Sequence, residues 1–437
     1  MSEKHDQEYF GDGIAEEILN LLVKIPNLKV IGRTSSFQFK GKNDDLRRIG
    51  MTLGAAYVVE GSVRKAADQV RVTAQLINTH DGVHLWSATY DRSVSNVIVV
   101  QDEIAASLTR ALQLEVVARP HEPPHSAEAY DVYLRGLHAR EGFNQAGFEE
   151  AAAYFRQSLK LDPQFAAAAE ALARVLLDEA SWGFVSPQIG FARTRDAATA
   201  ALALDLNSAL AHAVLGSIHT WHDWDWAASE RELRTAVALA PNDPVVLFFS
   251  AEGRLAVGHW DDATRLYSES RSLDPLLASV YQESGWTLLR MGRLLDAESA
   301  FRRGLEISPT YVGLHHDLGT CLLLEGKLDA ALSEMQREVP IGGRSAGLAV
   351  VYHAMRRNAE ADREVANLEA DHSHDMAFPI AEVHAYRGRT QAALEWLDRA
   401  YAQRDIFLWL IKGDPLLKSL AGNPRYTAFL RKINLPE

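Results

Sequence analysis

The 437-residue sequence predicts a small α+β N-terminal domain followed by an all-α superhelix of stacked helix pairs, so that the chain is mostly α. Two observations carry this. Pro241, Pro275 and Pro309 stand 34 residues apart and close Ala240-Pro241, Asp274-Pro275 and Ser308-Pro309. A fixed period of this length marks helix pairs that bury their apolar faces on one another. Before residue ~116 the register is different. Gln69 to Ile77 alternates apolar and polar side chains, as a strand with one buried face does.

The first domain reads in order as follows. Gly13 to Lys24 puts Ile14, Ile18, Leu21, Leu22 and Ile25 on one stripe of a helix. Leu28-Lys29-Val30-Ile31-Gly32 reads as a strand. Asp44 to Leu53 is a second helix, with Leu46, Ile49 and Leu53 apolar. Ala56 to Val63, Gln69 to Ile77 and Val83 to Tyr90 are three strands, the last entered through the turn Asp81-Gly82. They form an antiparallel meander. Val99 to Val116 closes the domain as a helix through Ile104, Leu108, Ala111 and Leu112.

The array follows over residues 126–437. Gly285, Ala297, Phe301, Gly304 and Pro309 occupy positions 8, 20, 24, 27 and 32 of one unit. Ala251, Ala263, Tyr267, Ser270 and Pro275 occupy them in the unit before. Gly216, Leu233, Ala236 and Pro241 fit a third unit, and Gly319, Ala331 and Met335 a fourth whose proline has moved to Pro340. Small residues let the two helices cross closely, a bulky one fills the space between, and proline ends the second helix. This is the tetratricopeptide pattern. Ala151, Phe155 and Pro163 close an earlier unit that includes Tyr133 and Gly136. From Pro163 to Leu206 there are nine residues too many, placed at the loop Ser181 to Pro187. Ala349 with Ala361, and Ala381 with Ala393, Leu397 and Ala400, continue the pattern. Asp414 to Leu430 reads as a capping helix, giving about eight pairs in all.

Several segments of the first domain carry a resemblance. Tyr9-Phe10-Gly11-Asp12-Gly13-Ile14, Ser35-Ser36-Phe37 with Phe39-Lys40-Gly41, Glu60 to Arg64, Thr73 to Leu76, His84-Leu85-Trp86 with Tyr90-Asp91-Arg92, and Gln101 to Ile104 resemble the TolB amino-terminal-like domain. The resemblance implies residues 1–118 as that domain, 119–125 as a linker and 126–437 as the array. It also implies kinship with bacterial regulators that carry a class III adenylate cyclase or a winged-helix DNA-binding domain at the front. The tail Asp414-Pro415 to Asn423-Pro424-Arg425-Tyr426 resembles the tail of the same proteins. In that family an apolar strand and short loop precede the Tyr-Phe stretch, whereas this chain starts within the loop. A late gene start, a fragment, or a domain that dispenses with one strand would each account for this. No effector module is present, so no catalytic or DNA-reading activity carries over.

Composition narrows the partners. The net charge is −13. Residues 1–116 carry 13 Lys and Arg against 15 Asp and Glu, and the remainder carries 32 against 43. Nucleic-acid binding needs a basic stripe to neutralise phosphates, so that partner is not expected. No run of about 18 uncharged apolar residues exists, so no membrane span is expected. The polar N-terminus lacks an apolar signal core, which places the chain as written in the cytoplasm; a true start further upstream would leave a periplasmic location open. The single cysteine, Cys321, excludes an internal disulfide and thiolate zinc sites.

Candidate chemistry is thin. His372-Ser373-His374-Asp375 offers metal-ligand types, but the plainer reading is a polar turn. His315-His316-Asp317 lies on a first helix, where His315 packs and His316 faces the groove. Gly11-Asp12-Gly13 reads as a tight turn before a helix, with anion binding as the bolder reading. No phosphate-binding loop or nucleophile elbow occurs. Neither a cofactor nor a metal is expected. Trp221 to Trp226 is the densest aromatic cluster and reads as packing between repeats, with a cation or peptide patch as the alternative. The concave face is the functional candidate: Trp221, Phe248, Glu252, Gln282, Trp286, Arg290, His316 and Thr320. This mixture suits a protein or peptide segment. The expectation is a non-enzymatic interaction scaffold or regulator, whose first domain senses, docks or forms a homodimer. The alternative is the regulatory half of a nucleotide cyclase or winged-helix regulator.

Overall fold

A computed structural model describes residues 8–25, 28–42, 44–66, 69–93, 96–114, 126–339 and 341–435. The expected linker 119–125 and Pro340 lie outside the described residues. Helix α1 (Glu8–Val23) opens the chain, followed by the short α2 (Arg33–Phe37) and by α3 (Leu46–Leu53). The Asp45 carboxylate caps α3 by accepting from Arg47 N–H at 2.9 Å, and Gly54 ends it in the left-handed region at φ 65°. Strands β1 (Tyr57–Ala66), β2 (Gln69–Asn78) and β3 (His84–Ser93) form one antiparallel sheet in the order β1-β2-β3. Helix α4 (Val97–Ala111) follows. On β2 the side chains of Val70, Val72, Ala74 and Leu76 are buried, as the alternation requires, and they share a core with α1 and α4.

Two expectations about this region are corrected. Gly11-Asp12-Gly13 is not a turn before a helix; it lies inside α1, which starts at Glu8. The glycine is needed for a close crossing, because a Cβ at Gly13 would stand 2.4 Å from Leu134 Cδ2. Residues 28–32 form no strand, and the sheet has three strands among the described residues. Leu28 and Val30 do pack on the core. The backbone just beyond them is satisfied elsewhere: Gly32 N–H donates to Leu273 O at 2.5 Å and Ser35 N–H to Asp274 Oδ1 at 2.8 Å. An apolar run therefore read as a strand without having a strand partner.

Helix pairs follow: α5 (Ala127–Arg140) with α6 (Gln145–Leu161), α7 (Ala166–Ser181) with α8 (Pro187–Leu204), and α9 (Ala209–Ile218) with α10 (Trp226–Leu239). A π-helical turn, His219–Asp223, extends α9. Then come α11 (Pro244–Ala256) with α12 (Trp260–Leu273), α13 (Ala278–Arg290) with α14 (Leu294–Ile307), and α15 (Leu314–Leu324) with α16 (Leu328–Arg337). The last pairs are α17 (Ile341–Ala354) with α18 (Asn358–His372) and α19 (Ala377–Tyr386) with α20 (Thr390–Gln403). Two 3-10 turns, Leu408–Leu410 and Pro415–Leu420, and α21 (Pro424–Lys432) end the chain. The nine extra residues do not all lie in the loop after Ser181. Helices α7 and α8 run 16 and 18 residues, against 13 and 14 in α13 and α14, so most of the insertion lengthens the helices. Within α13–α14 the repeat logic is direct: Phe301 is fully buried, and its ring lies where a Cβ on Gly285 would fall, 2.3 Å away.

The chain divides into two compact units. The first comprises residues 1–214, 235–246 and 272–276; the second comprises 215–234, 247–271 and 277–437. In the first, α2 grips the turn Leu273 to Leu276. Ser35 is fully buried, its hydroxyl donates to Asp274 and accepts from Leu276 N–H at 2.8 Å.

Candidate functional site

The inner positions of the second unit were the functional candidates, and their placement begins with the helices that carry them. Phe248 and Glu252 stand on α11, Gln282, Trp286 and Arg290 on α13, and His316 and Thr320 on α15. Trp221 lies in the π-helical turn. Trp221, Glu252, Arg290 and Thr320 are buried, while Phe248, Gln282, Trp286 and His316 are half-buried. An open groove was expected at all eight; only the second four reach solvent.

The reason is the C-terminal segment of the same unit. Arg290, with a side chain 1% exposed, donates to Leu410 O at 2.6 Å and Lys412 O at 3.2 Å and pairs with Asp414 at 3.5 Å. Its guanidinium also stacks on Trp286, 5.1 Å from the ring centroid. Trp221 packs beside Trp409 at 6.4 Å and against Phe249 at 5.7 Å. Trp224 is nearly fully buried against Tyr401 at 5.2 Å and joins one core with Phe378, Leu397, Leu408 and Ile411. Trp226 Nε1 donates to Ile433 O at 2.9 Å. The cluster Trp221 to Trp226 is therefore packing, but only Trp221 packs on the next repeat; Trp224 and Trp226 pack on the C-terminal helices and tail. Leu408, Trp409, Ile411, Leu417 and Leu420 of this segment are buried, so residues 408–420 wall off Trp221 and Arg290.

Beside this wall lies a concentration of acid. Glu252, Glu283, Asp317, Glu382 and Asp414 all belong to the second unit. Burial pushes Glu283 up to about 7, against the pull of Arg290. Burial holds Asp317 well above the carboxylate range, although it accepts from Gln282 Nε2 at 2.7 Å. Burial, and then the neighbouring Asp414, raise Glu382 as well. His316 Nδ1 donates to Gly343 O at 3.0 Å, and burial lowers its pKa. Glu338 caps α15 through Gly313 N–H at 3.0 Å and His316 N–H at 2.9 Å.

The other expectations fall into place singly. His315 is buried and paired with Glu334 at 2.7 Å. The turn His372 to Asp375 is outward-facing, with His374 75% exposed and Asp375 half exposed. Cys321 is fully buried and donates to Leu294 O at 3.3 Å, and burial pushes its thiol up to about 12, so it is a packing residue. In the first unit Asp12, His138 and Glu141 bring metal-ligand types together, a grouping not found by sequence reasoning because it joins α1 to the end of α5. Lys40 already pairs with Asp12 at 2.7 Å, and Arg33 bridges Glu16 and Glu141, so the charges there are met within the chain.

Comparison with known proteins bears on the fold. Residues 278–311 match the tetratricopeptide repeat family. A putative adenylate cyclase 3 of Rhizobium meliloti (strain 1021) is 40% identical over 184 residues, 41% of this chain. The match spans 31% of that protein, under a third of its length. The solved human IFIT1 dimer with m7Gppp-AAAA is 11% identical at a TM-score of 0.50, covering 92% of this chain and 95% of that one. Pseudomonas aeruginosa pilF is 17% identical over 46% of this chain and 93% of its own, at a TM-score of 0.36. The chain is thus a small three-stranded sheet near the N-terminus followed by many tetratricopeptide-like helices. No helix among the described residues is long and apolar enough to cross a membrane.

Proposed function

We propose that this chain is a non-enzymatic interaction scaffold or regulator that holds a protein or peptide partner on the inner face of its helix pairs. Repeats of this kind commonly present surface rather than reaction chemistry. What supports the reading is the set of half-buried side chains Phe248, Gln282, Trp286 and His316 on the successive first helices α11, α13 and α15. Aromatic and amide side chains of this kind are what interface centres use. In this reading residues 1–118 are the TolB amino-terminal-like domain that senses, docks or dimerises, 119–125 a linker and 126–437 the array. The cyclase name belongs to a protein matched over under a third of its length and lends no catalysis to this chain.

The test is affinity capture with the wild type and a Phe248→Ala/Trp286→Ala variant. Arg290 is left intact because it holds the C-terminal wall. The expected result is loss of specific partners with an unchanged circular dichroism spectrum. A folded variant that retains every wild-type partner would place the binding face elsewhere.

A further inference from the structure

We propose that β1 is the strand through which two copies of this chain pair, antiparallel and edge to edge, about a two-fold axis at Ser62. The pairing joins the two three-stranded sheets into one. It settles on one role for the first domain, and it is independent of the inner-face reading, because β1 lies in the first unit and the inner helices in the second.

The edge is open. β1 stands at one end of the order β1-β2-β3, so only one of its sides has a strand neighbour. Ala56 O accepts from Thr79 N–H at 3.0 Å, which fixes the phase of the β1–β2 ladder. In an antiparallel pair the bonding direction alternates residue by residue. Val58, Glu60, Ser62 and Arg64 therefore bond toward β2, while Tyr57, Val59, Gly61, Val63 and Lys65 aim their N–H and C=O groups the other way. No described residue hydrogen-bonds to those groups. Such a row is a template for another strand. Apolar surface lies along it. Val59 is opposite Leu76 on the core-facing side of the sheet, where Leu76 is 1% exposed but Val59 41% and Tyr57 43%.

Charge says which strand fits. Glu60 and Arg64 are exposed on the other face, and neither is in an ion pair among the described residues. Arg64 stands opposite Arg71, whose carboxylate is Asp91 at 2.6 Å. Like charges thus meet on the β2 side, and a carboxylate is wanted on the open side. When β1 meets a second β1 about Ser62, Glu60 of each copy falls opposite Arg64 of the other. The same register sets outward-bonding residues against each other, Gly61 with Val63 and Val59 with Lys65, so the ladder closes. Glu60 and Arg64 then form a non-hydrogen-bonded pair, in which side chains come closest. Charges of one sign on an edge keep other chains away; two opposite charges placed symmetrically about Ser62 complement their own copies. The far edge lacks this feature: on β3, Asp91 is met by Arg71, and Arg92 by Glu103 at 3.4 Å.

The experiment is sedimentation velocity of the full chain over a concentration series, with circular dichroism as the check on folding. A monomer–dimer equilibrium is expected. Glu60→Arg should weaken the dimer about tenfold or more, because the two-fold axis applies the like-charge contact twice. Arg64→Glu should do the same, and Glu60→Arg/Arg64→Glu should return the constant to within about threefold of wild type. Ser62→Cys should form an intermolecular disulfide on mild oxidation, since Ser62 faces itself across the axis; the native Cys321 is buried. Glu60→Cys, offset from the axis, should not. A wild type that stays monomeric overturns the proposal. So does a dimer that both charge variants leave unchanged, or one that Ser62→Cys does not cross-link, because the copies then meet at another surface or register. The Phe248→Ala/Trp286→Ala variant should dimerise as the wild type does. If it loses its captured partners while the wild type is monomeric, the β1 pairing falls and the scaffold reading stands.

Discussion

Replacing Arg290 with alanine should unseat the C-terminal wall of the second unit. The side chain is 1% exposed, as is Asp414, and it serves the carbonyls of Leu410 and Lys412 as well as that carboxylate. Removing one member of a buried charged pair strands the other, at ~3–5 kcal/mol. Glu382, which shares a hydrogen bond with Asp414, would lose its nearest cation too. For a unit of this size ~3–5 kcal/mol corresponds to a fall in Tm of about 6–20 °C. Differential scanning calorimetry measures the fall, and hydrogen exchange locates it: amides of 408–420 should exchange faster, while those of β2 should not change. Arg303→Ala is the control, because its pair with Glu306 is 47% and 64% exposed and is worth little. A Tm within about 2 °C of wild type, with unchanged exchange over 408–420, would refute the account of Arg290 as the pin of that wall.

Other expectations concern the first unit. Asp274→Ala leaves the buried Ser35 N–H and hydroxyl without their acceptor, and should cost ~1–3 kcal/mol by chemical denaturation with faster exchange at 32–38. Gly13→Val drives a side chain into Leu134 and should cost ~1–3 kcal/mol, with part of the loss recovered in Gly13→Val/Leu134→Ala; additive effects in that double-mutant cycle would deny the contact. Glu17 is 6% exposed, and burial pushes it up to about 7, against its hydrogen bond from Tyr133 at 2.8 Å. The folded chain then holds a proton that the unfolded chain releases near 4.5, so stability falls as pH rises from about 4.5 to 7, by ~3 kcal/mol. Glu17→Gln should flatten that slope in denaturation curves taken across the interval, and an unchanged slope would reject the assignment.

Local pattern made much of this fold legible. The alternation over Gln69 to Ile77 is β2, and Gly285 with Phe301 is a helix crossing, because each pattern reports a face that the segment must bury. What stayed hidden depends on contacts between distant residues. Leu28 to Gly32 has strand composition, yet the backbone after it is claimed by a turn some 240 residues later. The repeat register picks positions on successive first helices, and of these Phe248, Gln282 and Trp286 are half-buried. Trp221 and Arg290 are buried, because the segment that covers them comes from beyond the last repeat, where the pattern gives no register.

The return of the C-terminus onto the turn Trp221 to Trp226 bears on how the second unit comes apart. A row of repeats that touch only their neighbours has loose ends, and it can fray from either one in steps. Here Trp224 shares a core with Phe378 and Leu417, and Trp226 holds Ile433. No pair in the unit is terminal in the energetic sense. Cooperativity should therefore be that of a globular domain, with a single sharp transition and with deletion of the last helix felt at the first.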